Sequence, residues 1–125
     1  MEFIETDRAP TPSGHYSQAI VANGMVFVAG QLPICPSAER TIPDGIEAQC
    51  EQVLANLRAI LEASGSRLDL LVSLQVFVTD IGLWARVDAA FKVAFGRHKP
   101  TRTIIPCGPL RRGALIEVNG VATCG

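Results

Sequence analysis

The chain has 125 residues, a length that suits one domain with a buried core, expected to span residues 1–125. Charged residues make up only 18% and the formal net charge is −1, with no basic block, which excludes a nucleic-acid-binding arm and an anionic-membrane surface. Apolar residues reach 48%, high for so short a soluble chain; no apolar run approaches a membrane span, so the apolar excess implies surface lost to subunit contacts.

The opening segment, Met1-Glu-Phe-Ile-Glu-Thr-Asp-Arg, is acidic and lacks the apolar core of a signal peptide, which points to the cytoplasm. Residues 2–6 suit a short strand. Ala9-Pro-Thr-Pro-Ser-Gly is a loop, because two prolines remove backbone donors and glycine breaks regularity. It delivers His15-Tyr16-Ser17-Gln18 to the next strand. Asn23-Gly24 lies between Ala19-Ile-Val-Ala and Met25-Val-Phe-Val-Ala; both turn residues tolerate positive φ, so a two-residue hairpin is predicted. Gly30 ends the second hairpin strand and permits close approach by another strand or a ligand.

Residues 34–43 read as a loop. Asp44-Gly-Ile-Glu47 has the spacing of a capping box. Beyond it Ile46, Cys50, Val53, Leu54, Leu57, Ile60 and Leu61 trace one helical apolar stripe, which Ser64-Gly65-Ser66 stops. The run from Leu70 to Val78 alternates as a strand, with Leu70, Val72, Leu74, Val76 and Val78 assigned to the face under the helix. Asp80 is placed to cap a second helix with a core stripe of Trp84, Val87, Phe91 and Ala94/Phe95, ended by Gly96. The four cysteines, Cys35, Cys50, Cys107 and Cys124, show no metal-ligand spacing, and without a secretion signal they read as free thiols.

The last quarter holds two extended segments joined by a Gly/Pro/Arg-rich loop. Ala114, Ile116, Val118, Gly120 and Ala122 fall on an apolar face; Leu115, Glu117, Asn119 and Val121 fall on the other. Arg102 is a lone cation in the preceding β-favouring run. Arg102 and Glu117, read as lying on adjacent strands, either pair with each other, face water, or line a cleft. Hairpin, helix, strand, helix, strand, strand is an α+β order: a mixed β-sheet with two helices packed on one face. The opposite face, with Ser73, Gln75, Glu117 and Asn119, is half polar and suits cover by neighbouring subunits with polar clefts between them.

Gly14-His-Tyr-Ser-Gln-Ala, Val28-Ala-Gly-Gln-Leu-Pro, Gln49 through Leu61, Val76-Phe-Val-Thr-Asp, Pro100-Thr-Arg-Thr and Gly113-Ala-Leu-Ile-Glu-Val, in this order, resemble the RidA/YjgF family of reactive-intermediate (2-imino acid) deaminases. The resemblance runs from about residue 9 to residue 122. It implies a chorismate-mutase-like fold, a homotrimer, active sites at clefts between subunits, and a cofactor-free reaction without metal. It implies that Arg102 binds the substrate carboxylate and that Glu117 acts on water or a substrate proton. It also implies that Tyr16 lines the pocket and that backbone groups at Gly30 and Ile104 contact substrate. Ala29, Asp88, Ile104 and Asn119 depart from the enteric-type pattern, and Asp88 adds a negative charge near an anionic substrate if it points inward.

The chemistry of these residues fits. An arginine fork gives a carboxylate two parallel charge-assisted hydrogen bonds, and a glutamate can hold water against an imine carbon. Tyr16 is the only tyrosine, so a phenolic donor in that position has no substitute. His15 and Ser17 form no triad, and Arg111 and Arg112 read as solvated. The leading expectation is hydrolysis of short 2-imino or enamine acids, of the 2-aminoacrylate type, to 2-keto acids and ammonia. Deamination of an amino-substituted unsaturated acid in a catabolic pathway is related chemistry. A non-catalytic trimeric module that binds small carboxylates is the alternative of another class. Endoribonuclease activity, associated with the wider family, is disfavoured by the absence of a basic stripe.

Overall fold

A computed structural model describes residues 1–125. Strands β1 (Glu2–Ile4), β2 (Ala19–Ala22), β3 (Met25–Gln31), β4 (Leu71–Val78), β5 (Thr101–Pro106) and β6 (Ile116–Thr123) form a single sheet in the order β1-β2-β3-β6-β4-β5. All pairs are antiparallel except β4 with β5, whose parallel pairing is made possible by the crossover through helix α2 (Trp84–Phe95). Helix α1 (Ile46–Ala63) is the longer of the two helices. Both cover one face of the sheet, and the core lies between them and it. The mixed sheet with two helices is the α+β arrangement predicted, and no helix is long and apolar enough to cross a membrane.

The apolar stripe of α1 is buried along its whole length, and Leu57, Ile60 and Leu61 are each fully enclosed. Each such side chain contributes about 1.5–3 kcal/mol relative to exposure. The β2–β3 turn forms at Asn23 and Gly24, with φ of 51° and 72°, the left-handed values a primed hairpin turn needs. On β6 Ile116, Val118, Gly120 and Ala122 all face the core, as their alternation requires.

Four local expectations are corrected. The capping box does not form: Gly45 is the N-cap of α1 and no side chain caps it. Glu47 is drawn instead to Arg86 of α2, whose Nε and Nη2 donate to its two carboxylate oxygens at 2.6 and 2.7 Å. A bulge on β4 between Leu71 and Ser73 inverts the first residues of that strand, so Leu71 is buried and Val72 is exposed; from Leu74 onward the predicted alternation holds. Trp84 is 44% exposed rather than core, because it begins α2 beyond the buried pair Val87 and Phe91. Asp80 caps not α2 itself but the short 3-10 turn Ile81–Leu83 that leads into it, accepting from Gly82 N–H.

Candidate functional site

Because Ile116 and Val118 point into the core, Glu117 between them faces the open side of the sheet. Opposite it β3 carries a second bulge. Val28 pairs with Gly120 and Gln31 with Val118, so β3 spends one residue more than β6 over the same span, at Ala29 and Gly30. The bulge sends Gln31 into the core in place of Gly30 and leaves the Gly30 backbone beneath the Glu117 carboxylate. A Cβ at Gly30 would stand 2.8 Å from Glu117 Oε2. A side chain there would have to displace the carboxylate, the mobile end of a flexible side chain, from its place over the bulge.

The loop before β2 closes this cleft. Gln18 is 1% exposed and anchors the loop: its Nε2 donates to the Thr6 and Pro10 carbonyls and its Oε1 accepts from Thr6 N–H. Tyr16 is held at the rim, its hydroxyl accepting from Ser13 N–H at 3.3 Å, which leaves the phenolic proton free for a ligand. Arg111 donates to Ser13 Oγ at 2.9 Å and Arg40 to the Thr11 carbonyl at 3.1 Å. Tyr16, Gly30, Arg40, Arg111 and Glu117 thus line one cleft of about 290 Å³. The Glu117 side chain makes no hydrogen bond or ion pair within the chain. Burial pushes its carboxyl above the ordinary range, and the Arg111 guanidinium opposes that rise.

Arg102 lies elsewhere. It stands opposite Leu74 in the β4–β5 pairing, whereas Glu117 stands opposite Phe77 in the β4–β6 pairing. Leu74 and Phe77 project to opposite faces of β4, so Arg102 is on the helix side and Glu117 on the open side. The strands that carry them are not adjacent, since β4 lies between them, and the ion pair between the two does not form. Arg102 Nη2 is 2.9 Å from Asp88 Oδ1 of α2, and its guanidinium carbon sits 5.4 Å from the centroid of the Trp84 ring. Arg102 and Asp88 share a second cleft, of about 350 Å³, with Phe91, Phe95 and Lys92.

The structure therefore brings Tyr16, Gly30 and Glu117 together and sets Arg102 apart from them. Ile104, two residues along β5 from Arg102, packs its side chain against the core and lines neither cleft. Arg111, read as solvated, is a wall of the Glu117 cleft, and Arg112 adopts φ 60° and donates to the Arg40 carbonyl. Gln49 and Asn56 are two further residues with a structural part beside the cleft. Gln49 donates to the Pro43 carbonyl and accepts from Leu115 N–H, and Asn56 donates to the carbonyls of Leu32 and Ile34. Their signal was legible, for both fall at helical spacing within the apolar stripe, where an amide is retained only if it is bonded. The four thiols are unpaired, and burial with the nearby Glu47 charge pushes Cys50 up to about 12.

A family model described as Endoribonuclease L-PSP matches residues 6–124. A RutC family protein of Pyrococcus horikoshii is 38% identical over 97% of this chain and 96% of its own. TdcF of Escherichia coli K12, whose name marks it as a candidate reactive intermediate deaminase, is 32% identical over 97% of this chain and 95% of its own. Among solved structures, a candidate endoribonuclease from Thermotoga maritima superposes with a TM-score of 0.94 at 40% identity, covering 100% of this chain and 98% of its own. E. coli TdcF with bound serine superposes with a TM-score of 0.94 at 31% identity, covering 100% of both chains.

Proposed function

This chain belongs to the Endoribonuclease L-PSP family, the YjgF/RidA family, and on that premise we propose that it is a cofactor-free deaminase of short 2-imino and enamine acids. The observation that carries this reading is Glu117: a half-buried carboxylate with no partner, facing a cleft that also presents a tyrosine hydroxyl. Such a group costs stability, and carboxylates of this kind are concentrated where they do chemistry.

In the proposed reaction Arg102 holds the substrate α-carboxylate in its planar fork. Glu117 takes a proton from water as the oxygen bonds to the imine carbon and the C=N electron pair moves to nitrogen. That proton is delivered to nitrogen, giving a carbinolamine; its hydroxyl proton then passes to nitrogen as the carbonyl forms and the C–N bond breaks, and ammonia and a 2-keto acid leave. An enamine such as 2-aminoacrylate first takes a proton on its terminal carbon to become the imine. The imine is already electrophilic, so positioning with one base suffices. Tyr16 and the backbone at Gly30 orient the reacting atoms beside Glu117, and the β5 backbone at Ile104, outside both clefts of a single chain, is assigned its substrate contact only in the assembled site.

Arg102 and Glu117 line separate clefts on opposite faces of one chain, so a reaction needing both joins clefts of different subunits. We take the assembly to be a cytoplasmic homotrimer of single-domain chains in which one chain's Arg102 meets the Glu117 cleft of the next. The serine bound by TdcF is a ligand of the size and charge this reading requires. A second reading, a non-catalytic module that binds small carboxylates, is supported by the same comparison, since bound serine requires binding and not turnover.

Arg102→Lys keeps the charge and loses the fork, and should cost about 2–4 kcal/mol in transition-state stabilisation. Glu117→Gln should preserve the fold and ligand affinity while lowering turnover. Ammonia release, ligand affinity and melting temperature on the same two variants separate the readings. A binding module shows no turnover and loses affinity with Arg102. Full activity in a well-folded Arg102→Ala protein overturns the mechanism.

A further inference from the structure

The Arg102–Asp88 pair is unlike the other ion pairs of the chain. Its side chains are 23% and 33% exposed, whereas those of the other three pairs are between 45% and 63% exposed. It is the least solvated pair and lines a cleft, so its charges act at close range with little screening. The Trp84 ring covers one side of the guanidinium, which leaves the guanidinium plane as the approach for a ligand carboxylate. A carboxylate arriving in that plane lies beside the Asp88 carboxylate, and the two anions compete for the Arg102 guanidinium even though Lys92 and Lys99 line the same cleft.

That arrangement resists a plain carboxylate and suits a different one. In an α-amino or α-imino acid the nitrogen is bonded to the carbon next to the carboxylate. With its carboxylate on Arg102, such a ligand brings its N–H donors within reach of the flanking Asp88 oxygens. Positive and negative groups then alternate around the site. Lys92 and Lys99 line the same cleft, but neither forms an ion pair with Asp88, which stays available as an acceptor. Leu74, Phe91 and Phe95 supply an apolar floor for a short side chain.

We propose that Asp88 is a specificity-determining residue that makes the Arg102 clamp select acids with a cationic nitrogen on the α-carbon, as α-ammonium or protonated α-imine, over carboxylates without one. The proposal rests on the reading of Arg102 as the carboxylate clamp. It also carries a chemical consequence: by accepting the N–H of a protonated imine, Asp88 favours the more electrophilic form of the substrate, and that proton departs with ammonia.

Serine and glycerate differ only in bearing an ammonium or a hydroxyl on the α-carbon, so calorimetric titration of the full chain with each isolates the contribution of the nitrogen. The wild type should bind serine at least about tenfold more tightly than glycerate. Asp88→Asn keeps an oxygen toward Arg102 and removes the charge; it should lose serine affinity, gain glycerate affinity and narrow the preference to about threefold or less. Asp88→Glu should restore much of the preference, and Asp88→Ser stands in if the asparagine variant does not fold. Equal weakening of both ligands in Asp88→Asn means that Asp88 only orients Arg102, and overturns the proposal while leaving the clamp intact. Binding of both ligands that persists in Arg102→Ala overturns the clamp reading, and this proposal with it.

Discussion

Glu117 is a carboxylate pulled in two directions. Burial raises its pKa, and Arg111 acts to lower it. A base works only when ionised, so turnover should rise with pH through the raised value, and the acid limb of kcat/KM should lie above the ordinary carboxylate range. Arg111→Ala removes the lowering influence and should move that limb to still higher pH. The melting temperature should hardly change, because Arg111 is exposed and its side chain bonds only the Ser13 hydroxyl. A limb that stays in place, or moves to lower pH, would assign the limiting ionisation to another group.

At the scale of elements, the cleft walls are loops fastened by buried amides. Gln18 fixes the segment before β2, Gln49 ties the chain before α1 to Leu115, and Asn56 holds the backbone at Leu32 and Ile34. Gln18→Leu has similar volume but strands the Thr6 N–H and the carbonyls of Thr6 and Pro10 away from full solvation. Urea unfolding should show a loss of about 2–4 kcal/mol, since each stranded buried group costs about 1–3 kcal/mol. Glu51→Ala, on the exposed side of α1, should stay within about 0.5 kcal/mol of wild type. An equally small effect at Gln18 would mean that water reaches the freed groups and that the loop is not held by its amide.

For the whole molecule, the open sheet face is the feature without an explanation in one chain. Phe3, Ile20, Phe27 and Val121 stand in register across β1, β2, β3 and β6, and Phe3 and Phe27 are 67% and 49% exposed. Apolar rows of this kind mark surfaces that pack against another molecule. Sedimentation equilibrium should give about three chains per particle, and Phe27→Asp should yield folded monomers that have lost turnover. A wild-type monomer that still releases ammonia would overturn the proposed site shared between subunits.

Period and turn chemistry were enough to place the elements. The stripe from Ile46 to Leu61, the Asn23-Gly24 turn and the alternation of β6 are local patterns, readable because helix and strand repeat side-chain direction at fixed intervals. The family was legible too, since its motifs are short runs whose order survives in one dimension. Tertiary structure decided the rest, because it depended on which distant residues meet. The bulges at Gly30 and Val72 exist only relative to β6 and break a periodicity that β3 and β4 alone would continue. Glu47 left its cap for Arg86, a partner on another helix. Arg102 and Glu117 were placed on adjacent strands by sequence proximity, yet β4 enters between β5 and β6 and the two side chains leave the sheet on opposite faces. A charged side chain takes the partner that the fold brings near, so Arg102 is paired with Asp88 and Glu117 is left facing a cleft.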